Sequence, residues 1–287
     1  MQPSEQGFFA ILGHPVSHSL SPFLHGKAFE LLGLPYRYVA VDVEPSELPR
    51  KVAELVRDGC LGFNVTLPNK ESIIPLLSEV DDTARAIGAV NTLIVRSGRL
   101  VGYNTDCDGV RVSLQPFRAR IEKQEVLLLG AGGAARAVAY ALQASYSVGM
   151  IHIAVRSVDR GRRFISSLNL HRSDVLEMGD PKISAAAASS ALVVNATPVG
   201  MIPHAGESPL PAGGTFRRGQ IVFDLIYRPP ETRLIRDARH AGAEVVTGVT
   251  MFLHQAAKAF QLWTGKEMPL TEMGKALEQK LTDERHG

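Results

Sequence analysis

Apolar runs alternate with amphipathic stretches along most of the chain. Short, strongly apolar runs typical of strands lie at 8–12, 36–41, 61–65, 126–129, 150–155, 191–195, 221–225 and 244–247. Stretches with apolar residues at helical spacing lie at 22–32, 45–56, 134–144, 251–263 and 270–281. This alternation predicts right-handed βαβ units and mostly parallel sheets, with one exception. The runs 91–95 and 100–103 flank Ser97 and Gly98 and are typical of an antiparallel hairpin.

The run 126–129 leads into clustered glycines before a helical stretch begins. A strand this apolar is usually buried on both faces of a parallel sheet, and the glycines let backbone N–H groups face a pyrophosphate. Gly130, Gly132 and Ala135 fit the Gly-x-Gly-x-x-Gly/Ala spacing. The same pattern also occurs in turns that bind nothing. The strand before it and the helix after it favour a dinucleotide site.

The residue after the next strand indicates which dinucleotide is bound. NAD-binding units normally have an acidic residue there, about 20 residues past the glycines, to bind the ribose hydroxyls. This chain has Val155 and Arg156 instead. A guanidinium can bind the extra phosphate of NADP with charge-assisted hydrogen bonds, so we predict NADP. Arg162 and Arg163 are better explained as part of a solvated helix face.

Composition places the chain among ordinary globular proteins. Its 287 residues are enough for two domains, and 45% of them are hydrophobic and 21% charged. The net charge of +2 gives no electrostatic case for binding nucleic acid or a membrane surface. Cys60 and Cys107 have neither metal-ligand spacing nor a disulfide pattern, which predicts a reducing, cytoplasmic location.

Two further classes are disfavoured by what the chain does not contain. Its first 13 residues lack a basic segment followed by an apolar core, and no apolar run is long enough to cross a membrane. We therefore expect neither an export signal nor a membrane anchor. The nine histidines are scattered without metal-site spacing, so we expect each at the surface or hydrogen-bonded in the core, and no metal.

The segment 13–22 carries serines ahead of a predicted helix. In an extended segment Ser19 and Ser21 point the same way, so their hydroxyls can converge on a small anion such as a carboxylate. Ser21 before Pro22 is equally well explained as the N-cap of the helix. The two explanations are compatible because a helix amino terminus favours an anion.

Two segments that end strands, 63–70 and 102–109, carry candidate acid–base groups. A lysine can protonate a ketone as it becomes an alkoxide, and a carboxylate beside it can orient the ammonium and bind a substrate hydroxyl. Lys70 and Asp106 are the candidate pair, and Asn91 offers an amide for ring hydroxyls. Each also has a structural explanation: Lys70 as a solvated residue in a helix's first turn, Asp106 as an N-cap and Asn91 as a turn residue.

The chain resembles the shikimate dehydrogenase family in seven segments, which follow one another in the family's order along nearly the whole chain. They are GHPVSHSLSP, NVTLPNK, GAVNT, GYNTDCDG, GAGGAARA, NATPVGM and GVTMFLHQAAKAFQLWTG. The resemblance implies NADP-dependent, reversible reduction of 3-dehydroshikimate to shikimate in the pathway to aromatic amino acids. It also implies two α/β domains with a cleft between them: a substrate domain of 1–105 plus 249–287 and a Rossmann-like NADP-binding domain of 106–248.

The resemblance also assigns roles to residues. Lys70 and Asp106 would be the catalytic pair. The implied substrate-binding residues are Ser19 and Ser21 for the carboxylate, Thr66, Asn91 and Gln255 for ring hydroxyls, and Tyr227. The implied cofactor-binding residues are Gly130, Gly132, Gly133, Ala134, Ala135, Arg156, Ser157, Arg160, Thr197, Gly248 and Met251.

Two other functions remain open from the sequence. One is an enzyme of the same superfamily that prefers quinate and uses NAD. Arg156 argues against NAD, but the sequence does not discriminate two substrates that differ by one hydroxyl. The other is a catalytically silent dinucleotide-binding module, which senses redox state or binds a partner. It would need none of Lys70, Asp106, Ser19 and Ser21, so their joint presence disfavours it. The expected partner is a small-molecule substrate, and the expected state is a monomer or homodimer.

Overall fold

The computed structural model describes residues 7–211 and 216–286. They form two compact units: the first combines the described parts of Met1–Thr105 and Leu253–Gly287, and the second lies within Asp106–Phe252. The expectation of no export signal falls partly on residues 1–6, which lie outside the described residues. None of the helices in the described ranges is long and apolar enough to cross a membrane.

The first unit contains a six-stranded mixed sheet. Its elements before residue 106 are β1 (Phe8–Gly13), α1 (Ser21–Leu31), β2 (Arg37–Asp42), α2 (Leu48–Arg57), β3 (Cys60–Val65), a 3-10 turn (Ile74–Leu76), β4 (Glu79–Val80), α3 (Asp82–Ile87), β5 (Thr92–Arg96) and β6 (Arg99–Tyr103). The strand order is β2-β1-β3-β5-β6-β4. β1 pairs in parallel with β2 and β3, whereas β5 pairs antiparallel with β3 and β6, which confirms the predicted hairpin.

This topology gathers several chain segments at one edge of the first sheet. β1 and β3 are parallel, so their carboxyl ends meet there. Because β5 runs antiparallel to β3 and β6, its amino end and the carboxyl end of β6 lie at the same edge. Below this edge the core is built from strand residues such as Leu12, Phe63 and Leu93, against which α2 packs Val52.

The second unit contains a six-stranded, wholly parallel sheet. Its elements are α4 (Asp106–Leu114), a 3-10 turn (Gln115–Phe117), α5 (Arg118–Ile121), β7 (Glu125–Leu129), α6 (Gly133–Ala144), β8 (Met150–Val155), α7 (Val158–Ser167), β9 (Ser173–Glu177), α8 (Lys182–Ser189), β10 (Leu192–Asn195), β11 (Ile221–Asp224), α9 (Arg233–His240) and β12 (Glu244–Thr247). The strand order is β12-β11-β10-β7-β8-β9. It reverses between β7 and β10, as in doubly wound dinucleotide-binding folds, and the predicted α/β class is confirmed.

Two long helices follow, α10 (Gly248–Thr264) and α11 (Leu270–His286). The chain passes from the second unit to the first within α10, after Phe252. In the first unit Trp263 of α10 donates through Nε1 to the carbonyl of Leu93 at 2.9 Å. Its ring stacks on Phe9 with centroids 4.7 Å apart, so α10 contributes to the same aromatic core as β1.

Candidate active site

The polar segments that follow β1 and β3 are hydrogen-bonded to each other. The His14 N–H donates to the carbonyl of Leu67 at 3.0 Å. Gly13 permits this approach, because a Cβ there would lie 2.3 Å from Thr66 Cγ2. Two predicted substrate-binding segments, the one that carries the serines and the one that carries Lys70, are thus brought together in the first unit.

Asp42, at the end of β2, holds the first of these segments. Its carboxylate accepts the Val16 N–H at 3.0 Å and pairs with His14 Nδ1 at 2.5 Å. Their mutual hydrogen bond lowers the pKa of Asp42 and raises the pKa of His14. Both side chains are exposed, so the pair orders the segment more than it stabilises the fold.

The two predicted carboxylate-binding serines lie at the start of α1. The helix begins at Ser21, which places Leu20 at the N-cap, so the N-cap assignment of Ser21 is wrong. Ser19 Oγ instead accepts the Ser21 N–H at 3.2 Å, which satisfies one of the N–H groups that the first turn leaves open. Joint binding of a carboxylate by both hydroxyls stays a prediction.

Lys70 lies half-buried in the turn after β3, so its assignment as a solvated helical residue is wrong. Its carbonyl accepts the Val90 N–H at 2.8 Å. The neighbouring Asn69 is fully buried and donates through Nδ2 to the carbonyl of Val43 at 2.9 Å. The backbone at Lys70 is therefore fixed from two sides.

A buried hydrogen-bond network joins β3, β5 and the end of β6. Asn91 Oδ1 accepts the Thr105 N–H at 2.7 Å, and Asn91 Nδ2 donates to Thr105 Oγ1 at 3.0 Å. Asn64 Nδ2 donates to the Asn91 carbonyl at 3.2 Å and to Thr92 Oγ1 at 3.0 Å. Gln255 of α10 accepts from Asn91 Nδ2 at 3.4 Å. Two residues predicted to hold ring hydroxyls are thus in contact, and the turn-residue assignment of Asn91 is wrong.

Sequence reasoning missed three members of this network: Asn64, Thr92 and Thr105. Each is at most 4% exposed. A signal exists for Asn64, because it interrupts an otherwise apolar strand, and a buried amide needs partners. Thr92 carries no such signal, since threonine is common in strands for its shape alone. Thr105 lies between β6 and α4, where a threonine is equally ordinary.

Asp106 is the first residue of α4 and of the second unit, one position after Thr105. It is 5% exposed. Its carboxylate thus lies in the helix's first turn, where the helix dipole favours a negative charge, rather than at an N-cap. Lys70 belongs to the first unit, so the pairing of these two residues stays a prediction.

Gly130 and Gly132 of the predicted dinucleotide turn are glycines for different reasons. Gly130 has a φ of +104°, and a Cβ there would lie 3.1 Å from the Ala196 carbonyl oxygen. Gly132 has a φ of −98°, which any residue adopts, and a Cβ there would meet no atom within 4 Å. The protein itself does not require glycine at 132. A pyrophosphate that approaches the backbone closely would require it.

The surroundings of this turn also fit a dinucleotide. It lies at the end of β7, where the strand order reverses. α6 begins at Gly133 with no side-chain cap and no acidic residue in its first turn, so the N–H groups of Gly133 and Ala134 face no competing protein anion. Ala135 is fully buried, as a close contact between helix and strand requires.

Arg156 directly follows β8, the neighbour of β7, and therefore leaves the sheet at the same edge as the glycine turn. It is exposed, and none of the described carboxylates pairs with its guanidinium. Ser157 is the N-cap of α7, and its Oγ accepts the Arg160 N–H at 3.4 Å. Arg162 lies 3.9 Å from Asp159, as expected for a solvated helix face.

Thr197 lies in a turn that a buried carboxyl helps to hold. Its N–H and Oγ1 both donate to Asn195 Oδ1, at 3.0 and 2.7 Å. Asn195 Nδ2 donates to Asp224 Oδ1 at 3.0 Å. The Ile226 N–H and Thr232 Oγ1 also donate to Asp224, at 3.1 and 2.6 Å. Burial raises the pKa of Asp224 to about 6. Sequence reasoning assigned no role to Asn195 or Asp224, although a charged residue at the end of an apolar strand is a signal.

The remaining predicted residues of the second unit lie around the start of α10. A Cβ at Gly248 would lie 2.2 Å from the Leu225 carbonyl oxygen, so the helix begins against the turn that follows β11. Met251 is 6% exposed, which fits packing as well as cofactor contact. The Tyr227 ring stacks on Phe252 with centroids 4.4 Å apart.

Within the described residues no group of His, Cys, Asp or Glu could hold a metal ion. One histidine contradicts the expectation that a core histidine is hydrogen-bonded. His25 of α1 is fully buried, and neither ring nitrogen has a hydrogen-bond partner among the described residues. It stacks on Tyr38 with centroids 4.6 Å apart, and burial lowers its pKa to about 3.

Comparison with known proteins gives a consistent result. Residues 11–93 match the model of the shikimate dehydrogenase substrate binding domain, and residues 248–278 match that of the shikimate 5'-dehydrogenase C-terminal domain. A shikimate dehydrogenase (NADP(+)) from Moorella thermoacetica is 42% identical over 278 residues, which are 96% of this chain and 94% of the relative.

Solved structures agree over a similar length. Shikimate 5-dehydrogenase from Thermus thermophilus, in complex with NADP(H) and shikimate, has a TM-score of 0.82 and 39% identity and covers 95% of this chain and 99% of its own. Quinate dehydrogenase from Corynebacterium glutamicum, in complex with NAD, has a TM-score of 0.84 and 28% identity, with coverage of 96% and 99%.

Proposed function

Because the chain belongs to the shikimate dehydrogenase family, we propose that it is an NADP-dependent oxidoreductase that interconverts 3-dehydroshikimate and shikimate. The observation that carries the proposal is its likeness, over 95% of its length, to the Thermus enzyme whose structure contains NADP(H) and shikimate. The geometry of Gly130 and Gly132 and the exposed Arg156 support the choice of cofactor.

NADPH, when bound, supplies a hydride to the ketone carbon. In the proposed mechanism Lys70 donates a proton to the ketone oxygen as it becomes an alkoxide, and in the reverse direction takes that proton from the hydroxyl. Asp106 orients the Lys70 ammonium and accepts a hydrogen bond from a substrate hydroxyl. The fixed backbone at Lys70 supports this role, because a general acid must be held in a productive geometry.

The substrate is proposed to bind through its carboxylate and its ring hydroxyls. Ser19 and Ser21 hold the carboxylate at the start of α1, where the helix dipole favours an anion. The ring hydroxyls are assigned to Thr66, Asn91 and Gln255, and Tyr227 is assigned to the substrate site. The contact of Asn91 with Gln255 supports a common role, since both amides belong to one buried network.

The cofactor is proposed to lie along the carboxyl edge of the parallel sheet. Its pyrophosphate faces the N–H groups at the start of α6. Its 2′-phosphate binds Arg156, with Ser157 and Arg160 nearby. Its nicotinamide is assigned to Gly248 and Met251, with Thr197 near the cofactor.

Quinate oxidation is a second candidate, because the Corynebacterium quinate dehydrogenase has nearly the same fold. Arg156 stands against NAD as the preferred cofactor, since it offers a partner only to the extra phosphate of NADP. Steady-state rates with both substrates and both cofactors test the choice. We expect the highest kcat/KM with NADP and shikimate. A higher value with NAD and quinate would overturn the proposal, and no turnover with any pair would favour a silent dinucleotide-binding module.

We also propose a cytoplasmic location and a monomeric or homodimeric state. Cys60 and Cys107 are both buried free thiols, and burial raises the pKa of each to about 12. Such thiols are unreactive and suit a reducing compartment. Sedimentation of the purified protein in reducing buffer measures the state.

A further inference from the structure

Asp224 connects three segments through its carboxylate. Its Oδ1 accepts from Asn195 of β10 and from the N–H of Ile226 in the turn before Tyr227. Its Oδ2 accepts from Thr232, the N-cap of α9. The side chain is completely buried.

Among the described residues, no charged partner offsets the burial of this carboxyl. In register it lies beside Asn195 on β10 and Thr247 on β12, which are both uncharged. The ionisable residues of the following loop and of α9 are Tyr227, Arg228, Glu231, Arg233, Arg236, Asp237, Arg239 and His240. None of them is among the causes that set the pKa of Asp224, which are burial and the three hydrogen bonds. An asparagine would keep these bonds without a buried charge, so the charge calls for a functional explanation.

The segments held by Asp224 include or adjoin residues assigned to the cofactor. Asn195 fixes the N–H and hydroxyl of Thr197, whose methyl group lies 3.1 Å from where a Cβ on Gly130 would be. On the other side, a Cβ at Gly248 would lie 2.8 Å from the carbonyl carbon of Ile226. A small shift of Asn195 or Ile226, which Asp224 holds, would therefore move Thr197 or Gly248, both of which are predicted to contact the cofactor.

We propose that the ionised Asp224 is a positioning residue for NADP(H), which holds the Thr197 turn and the turn before Tyr227 in the arrangement that receives the nicotinamide end. The inference rests on the proposed function. Ionised Asp224 makes charge-assisted hydrogen bonds, which are shorter and stronger than neutral ones. Protonated Asp224 donates from Oδ2 to Thr232 Oγ1, and its bonds to Asn195 and Ile226 weaken. Because burial raises the pKa of Asp224 to about 6, this change falls in the range of pH 5 to 7.

The test compares the Kd for NADPH of the wild-type protein and Asp224→Asn from pH 5 to pH 8. The variant imitates the protonated carboxyl at every pH. The 2′-phosphate of NADPH also titrates near pH 6, but the ratio of the two Kd values cancels it. We expect the Kd of Asp224→Asn divided by that of the wild type to be near one at pH 5. It should rise to about five at pH 8, because the variant lacks the charge-assisted bonds that the wild-type carboxylate makes there. Glu244→Gln, which removes an exposed carboxylate of β12, is the matched control and should keep a ratio of one.

A second pair of variants moves the transition itself. Thr232→Val removes a hydrogen bond that favours the carboxylate, so in this background the rise of the ratio shifts to higher pH. Thr232→Ser keeps the hydroxyl and should leave the rise in place. A ratio that is the same at every pH means that Asp224 is only structural and overturns the inference. Wild-type protein that reduces 3-dehydroshikimate but shows this flat ratio leaves the proposed function intact, whereas wild-type protein that binds no NADPH overturns both.

Discussion

Lys70 is half-buried in a turn whose backbone is hydrogen-bonded on two sides. Its proposed work is confined to the ammonium group, so its removal should affect the chemical step and little else. Lys70→Ala is expected to lower kcat by about 10²- to 10⁴-fold, the usual contribution of a general acid. Steady-state kinetics with 3-dehydroshikimate and NADPH measure this loss.

Two controls make the Lys70 result specific. Lys27→Ala removes an exposed lysine that pairs with Glu30 on α1 and should leave kcat unchanged. The Kd for NADPH should also be unchanged in Lys70→Ala, since the assigned cofactor residues are elsewhere. Near-normal turnover of the variant would remove Lys70 from the mechanism.

Arg156 is exposed at the carboxyl edge of the parallel sheet, and no described carboxylate pairs with it. Hydrogen bonds to a charged group contribute about 1.5–3 kcal/mol, so Arg156→Ala should weaken NADPH binding by about ten- to a hundredfold. Binding of NADH, which lacks the 2′-phosphate, should not change. Arg163→Ala, from the solvated face of α7, is the control for a general loss of positive charge. An unchanged preference for NADPH over NADH in Arg156→Ala would contradict the assignment.

Among single residues, the sequence was informative where a charged or hydroxyl side chain ended a strand. Lys70, Asp106 and Arg156 were singled out because their chemistry is unusual near such positions, and their roles stay predictions. Asn64 and Thr105 were not, because a buried amide or hydroxyl takes its meaning from partners that are distant in the chain. The charge of a residue is known from its identity alone, whereas a hydrogen-bond network depends on which residues the fold brings together.

Substitutions in the turn from β7 to α6 can distinguish an effect on cofactor binding from an effect on the stability of the fold. Gly132→Ala adds a Cβ into open space at an ordinary φ, so the free energy of unfolding should change by less than about 1 kcal/mol. The same Cβ occupies the space assigned to the pyrophosphate. The Kd for NADPH should therefore rise by about tenfold or more, which corresponds to about 1.4 kcal/mol. Calorimetry with and without NADPH measures both quantities.

Gly130→Ala is the matched comparison within the same turn. Its φ of +104° and the Ala196 carbonyl oxygen 3.1 Å from a Cβ predict a loss of about 1–3 kcal/mol in unfolding free energy, even without cofactor. If Gly132→Ala bound NADPH like the wild type, the pyrophosphate could not lie against this turn.

Element prediction succeeded where apolar runs were long and pure. β7, β10 and β11 are almost completely buried and read as apolar runs, and β8 is interrupted only by the partly buried His152. Two of the missed elements, β9 and α8, depart from such patterns for physical reasons. β9 is an edge strand with only partly buried residues, and α8 is made almost entirely of alanine and serine, which give no amphipathic contrast.

His25 in the first unit and Asp224 in the second are fully buried, burial displaces the pKa of each, and the two groups respond to acid in opposite directions. His25 has a pKa of about 3, below the ordinary 6.5, so its neutral form contributes stability that is fully present above pH 6.5 and lost as the pH falls towards 3. Asp224 has a pKa of about 6, above the ordinary 3.8, so its protonated form contributes stability that is present below 3.8 and lost as the pH rises through 6.

Between pH 7 and pH 5 the contribution of His25 to the first unit should fall by about 2 kcal/mol, and that of Asp224 to the second should rise by about 1 kcal/mol. Hydrogen exchange of peptides from each unit measures the free energies of opening separately. His25→Phe fits the surrounding aromatic rings and should remove the fall, while Asp224→Asn should remove the rise. Parallel changes in wild type and variant would show that the group does not titrate as described.

The order in which the two units are translated affects when each can fold. The first unit is divided, and its last part follows the whole of the second unit. Until Trp263 has left the ribosome, Phe9 and the carbonyl of Leu93 lack the indole that covers and bonds them in the finished protein. The second unit is continuous in sequence and can bury its core earlier, so the first unit, although its translation begins first, completes its folding last. A stop codon soon after Phe252 would therefore leave the aromatic residues of the amino-terminal sheet exposed. Such a truncated protein should be bound by chaperones or degraded by proteases.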